Sequence, residues 1–156
     1  MYTGRPFIYL YLKLIIDNSF HILVYMESCI FCKIVKGEIQ SAKVYEDRKI
    51  LAFLDINPVN HGHVLVIPKA HHPKMEETPD AVVADIFVQS KKLMSAVKKT
   101  TNAEYVAVSV VGTEVPHFHI HLIPRRHDDG LAGFWPTKKY GEKEMDAAAE
   151  KIKNAL

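Results

Sequence analysis

Residues 117 to 125 read "HFHIHLIPR", three histidines at alternate positions with a large apolar residue after each. A strand sends successive side chains to opposite faces. The pattern therefore predicts a strand with His117, His119 and His121 on one face and Phe118, Ile120 and Leu122 on the other. The apolar row belongs against a core. At roughly 3.3 Å rise per residue, alternate imidazoles stand about 6 to 7 Å apart, close enough to bracket one phosphoryl group or pass protons through it. A half-exposed strand whose histidines only face water is the plain alternative. With 9 histidines among 156 residues, strict alternation of three fits chance poorly.

A second segment echoes the first. "HVLVIPK" from His63 and "HIHLIPR" from His119 share a histidine, alternating apolar residues, Ile-Pro and a basic residue. Neighbouring strands punctuated in this way would bring His63 beside the three histidines, although two unrelated strands ending in proline would look the same. "AKVYED" and "ILAFLDI" are rich in β-formers and, separated by Asp47-Arg48-Lys49, predict a hairpin. The third strand starts at His63 and ends at Pro68. Thr78-Pro79-Asp80 combines a hydroxyl cap, a proline and a carboxylate, the signals of a helix start. Val83, Phe87, Ser90, Met94 and Val97 keep helical spacing and predict a helix of about five turns to near Thr100. "EYVAVSVV" and "HFHIHLIP" supply the last two strands. Residues 142 to 156 predict a terminal helix with Met145, Ala149 and Ile152 inward. "IFCKIVKG" predicts a short helix closed by Gly37, with Cys29 and Cys32 sharing one face. The expected class is α+β, a mostly antiparallel five-stranded sheet with a long central helix and a short N-terminal helix.

With 48% hydrophobic and 24% charged residues, the chain can build one domain around its own core. A net charge of +2, with no Lys/Arg-rich run and no paired aromatic platform, argues against a nucleic-acid partner. Two cysteines in "CIFC" are no secreted disulfide framework; they suit a metal or redox role in a reducing compartment, which places the protein in the cytoplasm. Residues 1–25 are more apolar than anything that follows, yet Lys13 and Asp17 interrupt the run before it can span a bilayer, so no membrane association is expected. Arg5 ahead of an apolar stretch suggests a signal peptide, but no small-x-small cleavage site follows. The expected organisation is an apolar extension over 1–25 and a single domain over 26–156. "MESCIFCKIVKGEI" from Met26 reads as a natural amino terminus, so the extension suits an upstream start assigned in error.

Together, "HFHIHLI", "FLDINPVNHGHVLVIPKAH" and "CIFCKIVKGEI" resemble the histidine triad family, or HIT family, in its bacterial Hint-like branch, from about Met26 to Arg125. The resemblance implies a HIT-like fold, commonly a homodimer, that binds a purine nucleoside phosphate and cleaves at its α-phosphate through a covalent nucleotidyl-histidine. It assigns His119 as nucleophile, His121 and His63 as flanking partners of the phosphate, and Asp55 as the holder of the ribose hydroxyls. Ile30, Phe31, Ile34 and Ile56 would wall the base pocket. Read without the family, Asp55 is a turn carboxylate before Asn57-Pro58, and Phe31 and Ile34 are plain core. The chemistry stands by itself, since a neutral imidazole can attack phosphorus and the phosphoramidate it forms is labile to water. One departure is plain. Where many members carry Gly-Gln-Ser/Thr-Val, this chain reads "GTEVPH", placing Glu114 at the hydroxyl position, where a carboxylate repels phosphate unless protonated or turned away. The asparagine contact from the preceding strand has Ser109 as its nearest counterpart.

The resemblance also implies a structural zinc held by Cys29, Cys32, His71 and His117, completing the four ligands such a site needs. His72 competes with His71, and a reduced, unligated cysteine pair is the bland alternative. Rival functions are a dinucleoside polyphosphate hydrolase, a nucleotide-binding regulator with little turnover, and a catalytic metal site in which Glu114 serves as the base.

Overall fold

The computed structural model describes residues 28–131 and 138–156; the apolar extension expected over 1–25 lies outside them. The chain divides between Arg126 and His127 into two compact units.

In the first unit the elements run α1 (Ile30–Lys36), β1 (Lys43–Glu46), β2 (Ile50–Leu54), β3 (Val64–Pro68), a single 3-10 turn (Met75–Glu77), α2 (Asp80–Thr101), β4 (Tyr105–Ser109) and β5 (Ile120–Arg125). The sheet order is β1-β2-β3-β5-β4, and every neighbouring pair is antiparallel. β2 and β3 are the near-continuous apolar runs of the sequence, and both are buried on both faces, as such runs require. Ile50, Ala52, Val64, Val66, Ile120 and Leu122 point one way, onto Ile86, Leu93 and Val97 of α2. Leu51, Phe53, Leu65 and Ile67 point the other way, onto Phe31, Cys32 and Ile34 of α1. The residues of chemical interest gather on the α1 side.

Three expectations shift. The strand at the histidines begins at Ile120, so His117, Phe118 and His119 precede the ladder. The side chains still alternate, Phe118 in the core against α2 and His117 and His119 against Phe31, while Phe118 N–H bonds to the His72 carbonyl (2.6 Å) instead of to a neighbouring strand. α2 starts two residues after Thr78, whose hydroxyl turns back to donate to the Lys74 carbonyl (2.7 Å) instead of capping the helix. Its inward row is Ile86, Gln89, Ser90, Leu93 and Val97; Phe87 is exposed. Apolar residues stand side by side at 86–87 and 93–94, so the pattern alone fits two phases one residue apart.

α1 closes as expected, on Gly37 at φ +78, with Gly37 N–H bonded to the Ile34 carbonyl and Glu38 N–H to that of Lys33. Cys29 sits just before the helix and not on its face. The second unit holds α3 (Glu144–Lys153), two residues short of the expected start; Met145, Ala149 and Ile152, expected inward, are exposed.

Candidate active site and metal centre

β3 and β5 pair directly, Leu65 opposite His121, so the echoed segments do lie side by side. His63, one residue before β3, brings Nε2 to 3.0 Å from His121 Nδ1. Val59 N–H donates to His63 Nδ1 (3.3 Å), which leaves the His63 proton on Nε2 to be donated to His121. His121 then carries its own proton on Nε2. His119 packs beside them, its ring centroid 4.8 Å from that of His121, and its Nδ1–H donates to the His117 carbonyl at 2.6 Å. That bond fixes the tautomer: Nε2 of His119 keeps its lone pair. Burial lowers the pKa of His63, and burial reinforced by His119 and His63 lowers that of His121 to about 4. These rings are neutral near pH 7. Asp55 accepts Asn57 N–H (2.8 Å) in a turn, as the plain reading expected, and its other oxygen stands 3.5 Å from His63 Nδ1.

His117 faces elsewhere. Its Nε2–H donates to the Pro68 carbonyl (2.8 Å), so Nδ1 presents a lone pair to Cys29 Sγ at 3.5 Å and Cys32 Sγ at 3.7 Å. His71 Nδ1 stands 3.3 Å from Cys32 Sγ, and the four ligand atoms all lie within 4.8 Å of one another. Zinc at about 2.3 Å from sulfur and about 2.0 to 2.1 Å from nitrogen holds tetrahedral S···N pairs about 3.5 Å apart. One lone pair cannot accept from two thiols, but it suits a cation shared with both. Burial holds the His117 imidazole neutral, at about 4, as a ligand must be. Burial, reinforced by Cys29, pushes the Cys32 thiol up to about 12, so a thiolate there calls for a positive partner. The four side chains fit zinc. His72, the competing ligand, is not among the four side chains whose ligand atoms converge.

The HIT domain family matches residues 36–128. The chain belongs to the HIT family. An adenosine 5'-monophosphoramidase of Schizosaccharomyces pombe is 40% identical over 131 residues, covering 83% of this chain and 98% of that protein. A HIT family member from Bacillus subtilis superposes with a TM-score of 0.74 at 36% identity, covering 83% of this chain and 97% of the other. A zinc-bound histidine triad protein from Mycobacterium smegmatis does so with a TM-score of 0.65 at 31% identity, covering 84% and 99%.

In this HIT protein the remaining expected residues fall in different settings. Phe31 and Ile34 are buried, and Phe31 sets its ring edge-on to those of Phe53, His117 and His119. Ile30 is 42% and Ile56 88% exposed. Ser109 is the β4 residue paired with His121, and Glu114 is exposed in the loop that follows β4. The groups that sequence reasoning missed are backbone atoms: the carbonyls of Pro68 and His117 and the N–H of Val59. No side-chain pattern announces them. Among the described residues, no helix is long and apolar enough to cross a membrane.

Proposed function

We propose that this protein is a nucleotide hydrolase that cleaves purine nucleoside phosphoramidates or related nucleotidyl compounds at the α-phosphate through a covalent intermediate on His119. The observation that carries the reading is the bond from His119 Nδ1–H to the His117 carbonyl, which leaves Nε2 with a free lone pair beside two neutral histidines. Nε2 attacks phosphorus, and the imidazolium that forms keeps its Nδ1–H on the carbonyl, which stabilises the positive charge. The leaving amine needs a proton. His121 supplies it from Nε2 once the hydrogen-bonded His63–His121 pair has taken up one proton from solvent, and the proton released by the attacking water in the second step returns to that pair. Water then attacks the same phosphorus, and His119 leaves as a neutral imidazole. Asp55 holds the ribose hydroxyls, Ile30 and Ile56 cover the base, and Phe31 and Ile34 back that wall. Ser109 and Glu114 flank the phosphate. Zinc on Cys29, Cys32, His71 and His117 serves structure and supplies no chemistry to the reaction. The active form is a homodimer, a reading supported by β4 at the sheet edge with Val108 exposed on it; sedimentation at micromolar concentration tests this.

A catalytic metal on Asp55, His63 and His121 is the one rival with geometry behind it, since these three also cluster within 4.8 Å. The 3.0 Å His63–His121 separation favours a direct hydrogen bond over a shared cation. A brief chelation that removes weakly held metal decides between them. Turnover of an adenosine phosphoramidate persists under the covalent reading, while loss of turnover restored by added metal supports the rival.

A further inference from the structure

The nucleophile does not stand on the β-ladder. Pairing between β3 and β5 ends at Val66 and Ile120, so no inter-strand register fixes His119. Four bonds hold the segment instead: His117 N–H to the Val115 carbonyl (2.8 Å), His117 Nε2–H to the Pro68 carbonyl (2.8 Å), Phe118 N–H to the His72 carbonyl (2.6 Å) and His119 Nδ1–H to the His117 carbonyl (2.6 Å). Three of them are made by His117, a member of the four-ligand group. His117 gives its ring to the four-ligand cluster and its carbonyl to the nucleophile, while His72, which anchors Phe118, follows directly on the ligand His71. The cluster thereby ties the end of β3, the start of α1 and the entry to the histidines to one point.

We propose that the metal centre is a positioning device for catalysis: by clamping His117 and His71 it fixes the His117 carbonyl, and that carbonyl holds His119 in the Nδ1–H tautomer with Nε2 free to attack. This rests on His119 being the nucleophile. Its physical basis is that groups orienting a reactive imidazole act through hydrogen bonds, and loosening such an orienting group typically costs about 10- to 100-fold in activity. Cys29, Cys32, His71 and the His117 ring are positioning residues that touch no substrate.

The test uses the full chain at one fixed pH: loaded with zinc, stripped with a strong chelator, and reloaded. Nitrogen NMR of the ring-labelled protein without substrate reads the His119 tautomer, and steady-state kinetics on an adenosine phosphoramidate read kcat and KM. His71→Ala and His71→Cys form the second arm, the latter keeping a metal donor; circular dichroism normalises each to its folded fraction. The loaded chain is expected to show Nδ1–H alone, and the stripped chain and His71→Ala a mixture of tautomers. Their kcat is expected to drop about 10- to 100-fold at nearly constant KM, and reloading or His71→Cys to recover most of the loss. A stripped, folded chain with an unchanged tautomer overturns the proposal, and so does a tautomer change without loss of kcat. Should the loaded wild type turn over no phosphoramidate, the functional reading fails, while the NMR arm still decides whether metal sets the tautomer.

Discussion

His119 and His121 are two positions apart in sequence and differ in what their Nδ1 atoms meet: a carbonyl for His119, the His63 ring for His121. Alternation in the sequence placed the rings side by side, but their tautomers depend on backbone atoms that sequence does not expose. The neutrality of His121 has a consequence for stability. Its pKa is lowered to about 4 by burial and by its neighbours His119 and His63, against 6.5 for the free group. Between those values the unfolded chain binds a proton that the folded chain refuses, so stability rises with pH from about 4 to about 6.5. Denaturant titrations across that window are expected to show the rise, and His121→Asn to flatten it; an unchanged slope in the variant would mean that His121 is already charged in the fold. His63→Asn removes the proton supply to His121 and is expected to lower kcat by about 10²-fold or more, with nucleotide affinity, read by calorimetry, little changed.

The elements were legible where one pattern dominated. β2 and β3 followed from unbroken apolar runs, and α1 from a helical run closed by glycine. The face of α2 was legible except at one position: Ser90 and Val97 are buried and Val83 and Met94 pack against the core as read, while Ile86 turns inward in place of its neighbour Phe87. The first residues of the histidine strand were misread for a different reason: the alternation of side chains runs on through 117–119, where a bend at His117 and the bond from Phe118 N–H to the His72 carbonyl replace the ladder. Of the glycines, Gly62 constrains the site most. It stands at φ +92 immediately before His63, and a Cβ there would run into the Thr101 side chain at the end of α2. Gly62→Ala combines left-handed strain with overpacking, a cost of about 2 to 4 kcal/mol, and shifts His63 with it. Gly37→Ala at φ +78 meets nothing within 4 Å and is expected to cost only about 1 kcal/mol. Urea midpoints for the two variants, with unchanged m-values, check the difference; equal losses would mean that the Thr101 contact is relieved by a small backbone shift.

For the whole molecule, the mostly antiparallel five-stranded sheet read from the sequence is present, and the histidines and the cysteine pair gather on its α1 side. The separation of His117 from its two neighbours follows from where each ring lands, His117 against the cysteines and His119 and His121 against His63. Purified protein is expected to carry about one zinc per chain by elemental analysis, and stripping it is expected to lower the melting temperature. A metal-free chain of unchanged stability would contradict the four-ligand site. The central claim, a covalent nucleotide on His119, is tested most directly by rapid quench with a substrate radiolabelled at the α-phosphate. Wild type is expected to accumulate transient, acid-labile, base-stable label at His119. The folded His119→Ala chain is expected to bind nucleotide yet carry no label and turn over several orders of magnitude more slowly, about 10⁴-fold or beyond. Near-normal turnover by His119→Ala, or label on another residue, would contradict the account.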